Sequence, residues 1–426
     1  MSARLNQDVI SLWDHSAAER AEYPALEQDA VADVAIIGGG YTGSSAALHL
    51  AQRGIDCIVL EAEKIGFGGS GRNGGLVNAG LWLPPQDITA KLGEEAGAKL
   101  VKELSEAPEL VFSLIETHQI QCEAVRRGTL HAAKSASGAA DLARRADGWA
   151  RLGAPVELLD AEETTKRVGT DVYHGALLDH RAGSINPMGY ARGLARAAAN
   201  AGARVHTGTR VRALERQGNT WRIDAGQASV SAPTVLMATN AYTDHLWPGF
   251  SKAFSPIHYF QVATKPLGPA GDAILPGREP LWDTGTIMTS VRRDAFGRLI
   301  VGSMGQLFGK DAALSKRWAL KTIRRLFPAL GEVEPETWWH GQIAMTADHL
   351  PRLFRLAPGL YAPTGYNGRG IAPGTAIGRA LAHHLAGAPD EDLPLEITEF
   401  SAEPFREPRR IAFELAFKAY RLMVSV

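Results

Sequence analysis

The sequence predicts an α/β chain, with an α+β character overall, in which a doubly wound parallel sheet is interleaved with an antiparallel sheet. Three observations predict this fold. Apolar runs typical of buried strands alternate with helical patterns over residues 33–61, 187–206 and 359–385. Short β runs separated by turn signals occupy residues 208–231 and 255–305. The length of 426 residues exceeds what one hydrophobic core usually serves, so it favours two associated domains.

The first strand–helix–strand unit is predicted from short local patterns. Residues 34–37 form a continuous apolar run and predict a buried strand. Residues 44–53 have small and apolar side chains at helical spacing, and Gly54 ends this predicted helix. Residues 57–60 form the next apolar run and predict a second buried strand.

A G-x-G-x-x-G turn between this strand and helix predicts a dinucleotide site. Gly38 permits the tight turn, Gly40 lets the backbone approach a pyrophosphate, and Gly43 lets the helix and strand pack closely. The pyrophosphate would meet free N–H groups at the helix N-terminus. Glu61, at the end of the second strand, would accept hydrogen bonds from the ribose hydroxyls. An acid at this position disfavours NADP and leaves NAD and FAD open.

The remaining elements follow from the same patterns. Helices are predicted over 87–118, 136–150 and 187–200, and strands over 204–206, 234–238, 258–264 and 298–302. The last segment places Ile411, Leu415, Phe417 and Leu422 among Lys418 and Arg421, which is an amphipathic helical pattern. Such a helix more often docks on its own protein or on a second subunit than on a membrane, and the oligomeric state is left open.

Composition excludes several classes of function. The net charge of −1 gives no global field that would draw the protein to nucleic acid or acidic lipid. The two cysteines, Cys57 and Cys122, indicate neither a disulfide framework nor a metal site. The N-terminal segment lacks an apolar signal region, and no apolar run is long enough to span a membrane. We therefore expect a cytoplasmic protein.

A second glycine-rich loop follows Glu61, over residues 64–77. Arg72, Asn73, Leu76 and Val77 are not residues of a flexible linker. The loop is therefore expected to wrap closely around a flat or charged group.

These loops, taken together, resemble those of the flavoprotein family of D-amino acid oxidase, glycine oxidase and sarcosine oxidase. The matching segments are residues 68–75, the turn 239–241, the segment 339–351 and the second glycine turn 364–370. Within that family the chain is most similar to bacterial L-pipecolate oxidases and γ-glutamylputrescine oxidases. The segments that carry this likeness are 66–79, 128–131, 178–190 and 364–370.

The resemblance implies FAD, bound without a covalent link because neither cysteine lies in a flavin-facing loop. It implies an FAD-binding domain formed by residues 1–86, 150–245 and 340–426, and a substrate domain formed by 87–149 and 246–339. The residues it places against the cofactor are Gly38, Gly40, Tyr41, Thr42, Gly43, Glu61, Ala62, Gly69, Ser70, Arg72, Asn73, Gly74, Gly75, Leu76, Val211, Thr239, Asn240, Gly341, Gly365, Asn367, Gly368, Arg369 and Gly370.

The sequence departs from the family at the two positions that hold a substrate carboxylate. Glycine oxidase and D-amino acid oxidase have an arginine where this chain has Ile343, and sarcosine oxidases have a lysine where we align Ala372. Either another arginine binds the carboxylate, with Arg72, Arg293 and Arg369 as candidates, or the substrate has no α-carboxylate.

Further substrate-site candidates lie on the predicted strand 258–264. Tyr259 and Gln261 share one face of this strand, and His258 points to the other face. The candidates for catalysis or substrate contact are therefore Tyr259, Arg72, Arg293 and His258.

The activity that the resemblance implies is oxidation of a C–N bond, with hydride transfer to flavin N5 and release of an imine. Secondary amino acids such as L-pipecolate are the first expected substrates, and γ-glutamylputrescine or a related amine is the alternative. An NAD-linked dehydrogenase or a flavin-fold binding protein without turnover stays open, as does the choice between oxygen and a quinone as electron acceptor.

Overall fold

The computed structural model describes residues 10–425, and the side chains of all of these except residues 310 and 421–425. The α-helices in this part of the chain are α1 (Leu12–Ser16), α2 (Tyr41–Ala51), α3 (Pro85–Leu92), α4 (Glu94–Thr117), α5 (Ala136–Ala150), α6 (Ala161–Val168), α7 (Pro187–Asn200), α8 (Ala312–Leu326), α9 (Ile371–Leu385) and α10 (Arg406–Ser425).

The strands of the described chain follow the same order along the sequence. They are β1 (Ala30–Val31), β2 (Val34–Ile37), β3 (Cys57–Leu60), β4 (Leu76–Val77), β5 (Thr129–Ala132), β6 (Val156–Leu159), β7 (Ala176–Asp179), β8 (Gly183–Ser184), β9 (Arg204–His206), β10 (Ala213–Gln217), β11 (Thr220–Asp224), β12 (Ser229–Ala232), β13 (Thr234–Met237), β14 (Ser255–Thr264), β15 (Leu281–Asp283), β16 (Thr289–Arg293), β17 (Leu299–Met304), β18 (Pro335–Met345), β19 (Arg352–Ala357), β20 (Leu360–Thr364) and β21 (Ile397–Glu399).

A seven-stranded sheet has the order β21-β19-β20-β13-β2-β3-β9. Its centre, from β20 to β9, is parallel, as predicted, and β19 is antiparallel to β20. Alternate residues of β2 pack into two different hydrophobic cores. Val34 and Ile36 pack with α2, α7 and α9. Ala35 and Ile37 pack with the four-stranded sheet β1-β12-β11-β10. Helices thus cover one face of this sheet, and a small β-sheet covers the other.

An eight-stranded sheet has the order β18-β14-β17-β16-β15-β5-β7-β6. All its neighbouring pairs are antiparallel except β15 with β5, which is parallel. On β14, Phe260 and Val262 pack against Trp318 of α8 in one core. Tyr259 and Gln261, on the opposite face of the strand, line a large cavity. The mixed α/β fold with parallel and antiparallel sheets confirms the predicted fold class.

Several element boundaries match the sequence patterns, because those patterns are local. Helices α5 and α7 and strand β9 have the predicted bounds. Helix α2 begins at Tyr41, three residues before the predicted start at residue 44, since the last residues of the glycine turn form its first turn.

The domain division remains a prediction, and one segment is placed differently by sheet membership. Strands β6 and β7 fall within residues 150–245, which we assigned to the FAD-binding domain. In the structure they pair in the eight-stranded sheet. The pairing of β7 with β5 joins segments that are distant in sequence, so no local pattern predicted it.

The C-terminal helix α10 packs on its own chain, against α8 and β14. Lys418 pairs with Asp311 at 3.1 Å, and Arg406 Nε donates to the Phe254 carbonyl at 2.7 Å. Ile411 and Leu415 remain exposed. The predicted apolar position 422 and the basic position 421 have side chains that lie outside the described residues.

Candidate functional site

A cavity of about 1520 Å³ lies between the seven-stranded and eight-stranded sheets. At one side it meets the carboxyl ends of β2, β3 and β13, where Gly38, Glu61 and Thr239 line it. At the other side it meets the open face of the eight-stranded sheet. Ligands of open α/β sheets bind at the carboxyl ends of parallel strands, so this cavity is the candidate functional site.

The glycine turn shapes the first wall of the cavity. A Cβ on Gly43 would lie 2.0 Å from the Gly38 carbonyl oxygen, so only glycine permits this packing of α2 against β2. Gly40 caps α2 without a side-chain hydrogen bond to the helix. The N-terminus of α2 lines the cavity and can bind a pyrophosphate through N–H groups other than that of Tyr41, which donates to Ser70 Oγ.

Glu61 lies at the end of β3 and is tied to the backbone through both carboxylate oxygens. Gly39 N–H donates to Oε2 at 2.7 Å, and Glu63 N–H donates to Oε1 at 3.0 Å. Burial raises the pKa of Glu61, and the two backbone hydrogen bonds act in the opposite direction. The carboxylate braces the glycine turn and still lines the cavity, where a ribose hydroxyl can reach it.

The second glycine loop lies along the cavity and is held in place by its own Asn73. The Asn73 side chain donates to the carbonyls of Gly69 (2.9 Å) and Ser70 (3.0 Å), and accepts from Gly75 N–H at 2.8 Å. Ser70 Oγ accepts from Tyr41 N–H at 3.1 Å, which joins this loop to the start of α2. These hydrogen bonds tie the loop down where it meets the cavity.

Arg292 supports the same loop from behind and was missed by the sequence analysis. Its Nη1 donates to the carbonyls of Ile185 (2.6 Å), Gly74 (3.2 Å) and Gly75 (3.4 Å), and its Cζ lies 4.9 Å from the Trp13 ring centroid. Gly75 has a φ of +77°, and a Cβ there would lie 2.1 Å from Arg292 Nη1. Strand alternation could have distinguished Arg292 from Arg293. Arg292 shares a face of β16 with Ser290, which lines the cavity, whereas Arg293 faces the other way.

The N-terminal helix α1 also supports the loop and was not predicted. Trp13 Nε1 donates to the Asn73 carbonyl at 2.9 Å, and Ser11 Oγ donates to the Gly71 carbonyl at 2.9 Å. Trp13 is completely buried and packs edge-on against Trp339.

The C-terminal glycine turn forms the third loop of the cavity. Asn240 Oδ1 accepts from Thr364 Oγ1 (3.0 Å) and Gly365 N–H (3.2 Å), which joins the turn after β13 to the turn before α9. Asn367 has a left-handed φ of +52°, and its Oδ1 accepts from Thr346 N–H at 2.8 Å. Gly370 caps α9 without a side-chain hydrogen bond, and this second helix N-terminus also lines the cavity.

Two buried polar groups on β14 point into the cavity without a partner in the described chain. They are the Tyr259 hydroxyl and Gln261 Oε1, on side chains that are 8% and 5% exposed. Burial raises the pKa of Tyr259 well above its usual value, so the phenol is neutral. Buried polar groups are normally hydrogen-bonded, and these two are therefore candidates for ligand contact.

His258 lines the cavity from the other face of β14, near α10. Its Nε2 lies 2.9 Å from Gln342 Nε2, and its ring packs edge-on against Phe308 at 5.1 Å. The ring of His340 also contacts Phe308, with ring centroids 5.4 Å apart. Burial lowers the pKa of both histidines to about 4, so both rings are neutral at pH 7.

Two of the predicted arginines are not brought to the cavity. Arg72 is buried behind the loop, where its Nε donates to the Phe67 carbonyl at 2.8 Å, and it does not line the cavity. Arg293 points away, with Nη1 bound to the Ile274 carbonyl at 3.2 Å and Nη2 3.6 Å from Asp272. Arg293 points away because adjacent residues of a strand face opposite sides of the sheet. Arg72 stays behind the loop because its guanidinium donates to backbone carbonyls there.

The third arginine, Arg369, does line the cavity. Its Nη1 donates to the Ala79 carbonyl at 2.9 Å, and its Cζ lies 4.6 Å from the Trp282 ring and 5.5 Å from the Trp82 ring. The contacts of both tryptophans with Arg369 were not predicted, because Trp82 and Trp282 are distant from Arg369 in sequence.

Most of the predicted cofactor residues converge on this cavity. The predicted residues that line it are Gly38, Gly40, Tyr41, Thr42, Glu61, Ala62, Gly69, Ser70, Asn73, Gly74, Leu76, Val211, Thr239, Asn240, Asn367, Gly368, Arg369, Gly370, His258 and Tyr259. The predicted residues that do not line it are Gly43, Arg72, Gly75, Gly341, Gly365 and Arg293. Three of the latter, Gly43, Gly75 and Gly341, lie where a Cβ would meet backbone or a neighbouring side chain at 2.4 Å or less.

Comparison with known proteins decides the family. The family model described as "FAD dependent oxidoreductase", DAO, matches residues 33–384. The chain belongs to this family. FAD is therefore the cofactor, and the protein is an FAD-dependent oxidoreductase of amines or amino acids, which excludes the NAD-linked dehydrogenase and the non-catalytic binding protein.

Individual relatives agree with this assignment. The chain is 32% identical to γ-glutamylputrescine oxidoreductase of Escherichia coli (strain K12), over 90% of each chain. It is 30% identical to the probable oxidoreductase OrdL of Haemophilus influenzae, over 97% of this chain and 95% of the relative. The crystal structure of glycine oxidase from Geobacillus kaustophilus has the same fold, with a TM-score of 0.68 at 21% identity over 89% of this chain and 98% of that one.

The residues present fit FAD. Two helix N-termini line one cavity, Glu61 lies at the end of β3, and two glycine loops leave space beside unpartnered buried polar groups. Within residues 10–425, no helix has both the length and the apolarity needed to cross a membrane. Over the same residues, no group of three or more His, Cys, Asp or Glu side chains is placed to hold a metal ion.

Proposed function

We propose that this oxidoreductase acts on γ-glutamylputrescine or a closely related long amine, and that L-pipecolate is the second candidate. The order reverses the expectation from sequence. It rests on the shape of the substrate side of the cavity and on the relative that acts as a γ-glutamylputrescine oxidoreductase.

The width of the cavity is the observation that carries the proposal. Its lining crosses five neighbouring strands on one face of the sheet, with Trp282 on β15, Ser290 on β16, Met304 on β17, Tyr259 on β14 and Ile343 on β18. Four inter-strand spacings of about 4.8 Å correspond to about 19 Å. A wall of this width suits an extended polymethylene amine better than a single six-membered ring.

The titratable side chains of β14 and β18 that line the cavity suit a neutral amine. His258 and His340 are neutral at pH 7, as is Tyr259, because burial shifts each pKa away from the charged form. A desolvated amine next to neutral acceptors loses its proton more easily than it does in water. When bound, FAD supplies the hydride acceptor. The protein binds the amine, orients its C–N bond and excludes water.

L-pipecolate is the second candidate because the cavity also has aromatic and aliphatic lining side chains. Trp82, Trp282 and Met288 are among them. Aromatic rings and a methionine side chain present the surface that an aliphatic ring would contact.

Anaerobic reduction of the purified holoenzyme tests both substrates. We expect γ-glutamylputrescine to bleach the flavin absorption faster than L-pipecolate does, with putrescine as the control that lacks the γ-glutamyl group. Faster bleaching by L-pipecolate would reverse the order of the candidates. If neither compound bleaches the flavin, both substrate proposals fail.

The form of the bound flavin is part of the same proposal. We expect FAD to be released by heat or acid, because Cys57 and Cys122 are buried and neither lines the cavity. Flavin that remains with the precipitated protein would contradict non-covalent binding. The electron acceptor is tested by reoxidising the reduced enzyme with oxygen and with a soluble quinone.

A further inference from the structure

The cluster around Arg369 indicates what else the substrate must carry. We infer that Arg369, which lies over the rings of Trp82 and Trp282, binds a carboxylate, and that the substrate is an amine that also bears this group. The inference rests on the proposed oxidation of amines and names the second group that the same cavity recognises.

The guanidinium of Arg369 is fixed in place before any ligand binds. The rings of Trp82 and Trp282 meet edge to face at 5.1 Å, and Arg369 Cζ lies over both. His131 stacks on Trp282, with ring centroids 3.3 Å apart. Trp82 Nε1 donates to the Asn367 carbonyl, which ties the indole to the turn that carries Arg369. An arginine oriented by aromatic faces presents its planar fork at little entropic cost.

The charge of Arg369 lacks an acidic partner in the described chain. Its only protein acceptor there is the Ala79 carbonyl. The charge of Asp179 raises the pKa of Arg369, but this carboxylate is already paired with Arg181 at 2.6 Å. Burial lowers the pKa of Arg369 to about 9, and the charge of Arg145 acts in the same direction. Arg369 is half-buried at the cavity wall. A cation that is partly removed from water without a counter-charge is costly, and an anionic ligand would lower that cost.

Other arginines that line the cavity already have acids. Arg210 pairs with Glu63 at 2.9 Å, and Arg410 pairs with Glu414 at 2.7 Å. Both positions that supply the carboxylate-binding cation in the resembled enzymes are apolar here, as Ile343 and Ala372. Arg369 is therefore the cavity cation best placed to meet a free carboxylate.

Arg369 lies apart from the place where the cofactor phosphates are expected. Trp282 lies on β15 of the eight-stranded sheet, and Ala79 follows the loop that ends at β4. The phosphates are expected at the N-terminus of α2, on the seven-stranded sheet. The anion at Arg369 is thus assigned to the substrate.

Matched substrates with and without the carboxylate provide the test. The pairs are γ-glutamylputrescine with N-(4-aminobutanoyl)putrescine, and L-pipecolate with piperidine. In Arg369→Gln we expect the Kd of the carboxylate-bearing compound to rise about 100-fold, which equals about 2.8 kcal/mol at 1.4 kcal/mol per factor of ten. The Kd of the compound that lacks the carboxylate should change less than threefold.

Two further variants keep the test decisive. Arg369→Lys retains the charge but not the planar fork, and should show an intermediate loss. Arg216→Gln is the matched control, because Arg216 also lies over a tryptophan, Trp221 at 5.4 Å, and binds backbone carbonyls far from the cavity. FAD content is measured for each variant. Equal weakening of both members of a pair, no weakening of either, or weaker FAD binding in place of weaker substrate binding would each overturn the inference.

The inference can be tested even if the proposed substrates fail. Cyclohexanecarboxylate and cyclohexanemethanol are titrated into the oxidised holoenzyme, and the visible flavin spectrum is recorded without turnover. We expect the carboxylate to perturb the spectrum of the wild type with an affinity that falls in Arg369→Gln. An equal response to acid and alcohol, or a response that Arg369→Gln retains, would refute the carboxylate site, whereas failure of the proposed function shows only in the reduction experiment.

Discussion

Replacing Gly43 with alanine tests the packing that opens the N-terminus of α2 to the cofactor. The added Cβ would lie 2.0 Å from the Gly38 carbonyl oxygen and 3.2 Å from Ile36 Cγ2. Real Cβ contacts are essentially never shorter than 3.0 Å. The helix and the strand must therefore separate by about 1 Å, and the obstructing atom is backbone, which cannot rotate away.

The magnitude of the effect follows from the cost of overpacking, which is typically about 1–3 kcal/mol. If the apoprotein relaxes and FAD binding restores the strained arrangement, this cost appears in the Kd for FAD as a weakening of about 5- to 150-fold. If the apoprotein cannot relax, the same cost appears in its free energy of unfolding. The change in the FAD binding free energy and the change in the free energy of unfolding should therefore add up to about 1–3 kcal/mol.

Gly39→Ala is the matched control in the same turn. Its Cβ would approach Ile65 Cδ1 at 2.6 Å and Glu61 Cβ at 3.2 Å. The closest atom is the end of a flexible side chain, which can move. The assay is reconstitution of each apoprotein with FAD, followed by flavin fluorescence, together with urea unfolding. A Gly43→Ala protein whose affinity and stability equal those of Gly39→Ala would refute the packing argument.

Three further predictions concern the walls of the cavity. Arg292→Met should lower the free energy of unfolding by about 1–3 kcal/mol, because the buried carbonyls of Gly74 and Ile185 lose a donor; an unchanged urea midpoint would show that the guanidinium does not support the loop. Tyr259→Phe should leave the stability of the apoprotein unchanged or raise it by about 1 kcal/mol, because the buried hydroxyl has no partner there; a loss of 2 kcal/mol in urea unfolding would contradict this. Stability should fall as the pH drops from 6.5 towards 4, because the pKa of His258 and His340 is about 4 when folded and about 6.5 when unfolded, so the unfolded chain binds more protons in this window. The slope should reach at most about 1.4 kcal/mol per pH unit for each histidine, and a His258→Gln/His340→Gln double variant that keeps the full slope would exclude these two groups as its source.

Much of the cofactor half of the site could be predicted from sequence, because its determinants are local. A glycine is needed at position 43 whatever surrounds it, since helix and strand are joined by a turn of fixed length. The apolar strand β3 and the carboxylate of Glu61 at its end can also be recognised from local sequence. All of these patterns lie within about 30 residues of chain.

The substrate half was predicted less well, because strand patterns do not say which face is covered. Arg292 and Arg293 are neighbours with the same side chain, yet Arg292 supports the cofactor loop and Arg293 binds Asp272 on the other face. Only the pairing of β16 with its neighbours shows which arginine faces the loop. Of the three predicted arginines, Arg369 alone lines the cavity.

The sequence by itself determined the parallel sheet, the dinucleotide turn and the flavin-side loops, because each depends on residues that are close along the chain. Only the tertiary structure decided that Trp82 and Trp282 lie under Arg369, and that Trp13 and Arg292 support the second glycine loop. These contacts join segments that are up to nearly 300 residues apart. They exist because two sheets close over one cavity, and that closure depends on the packing of the whole chain.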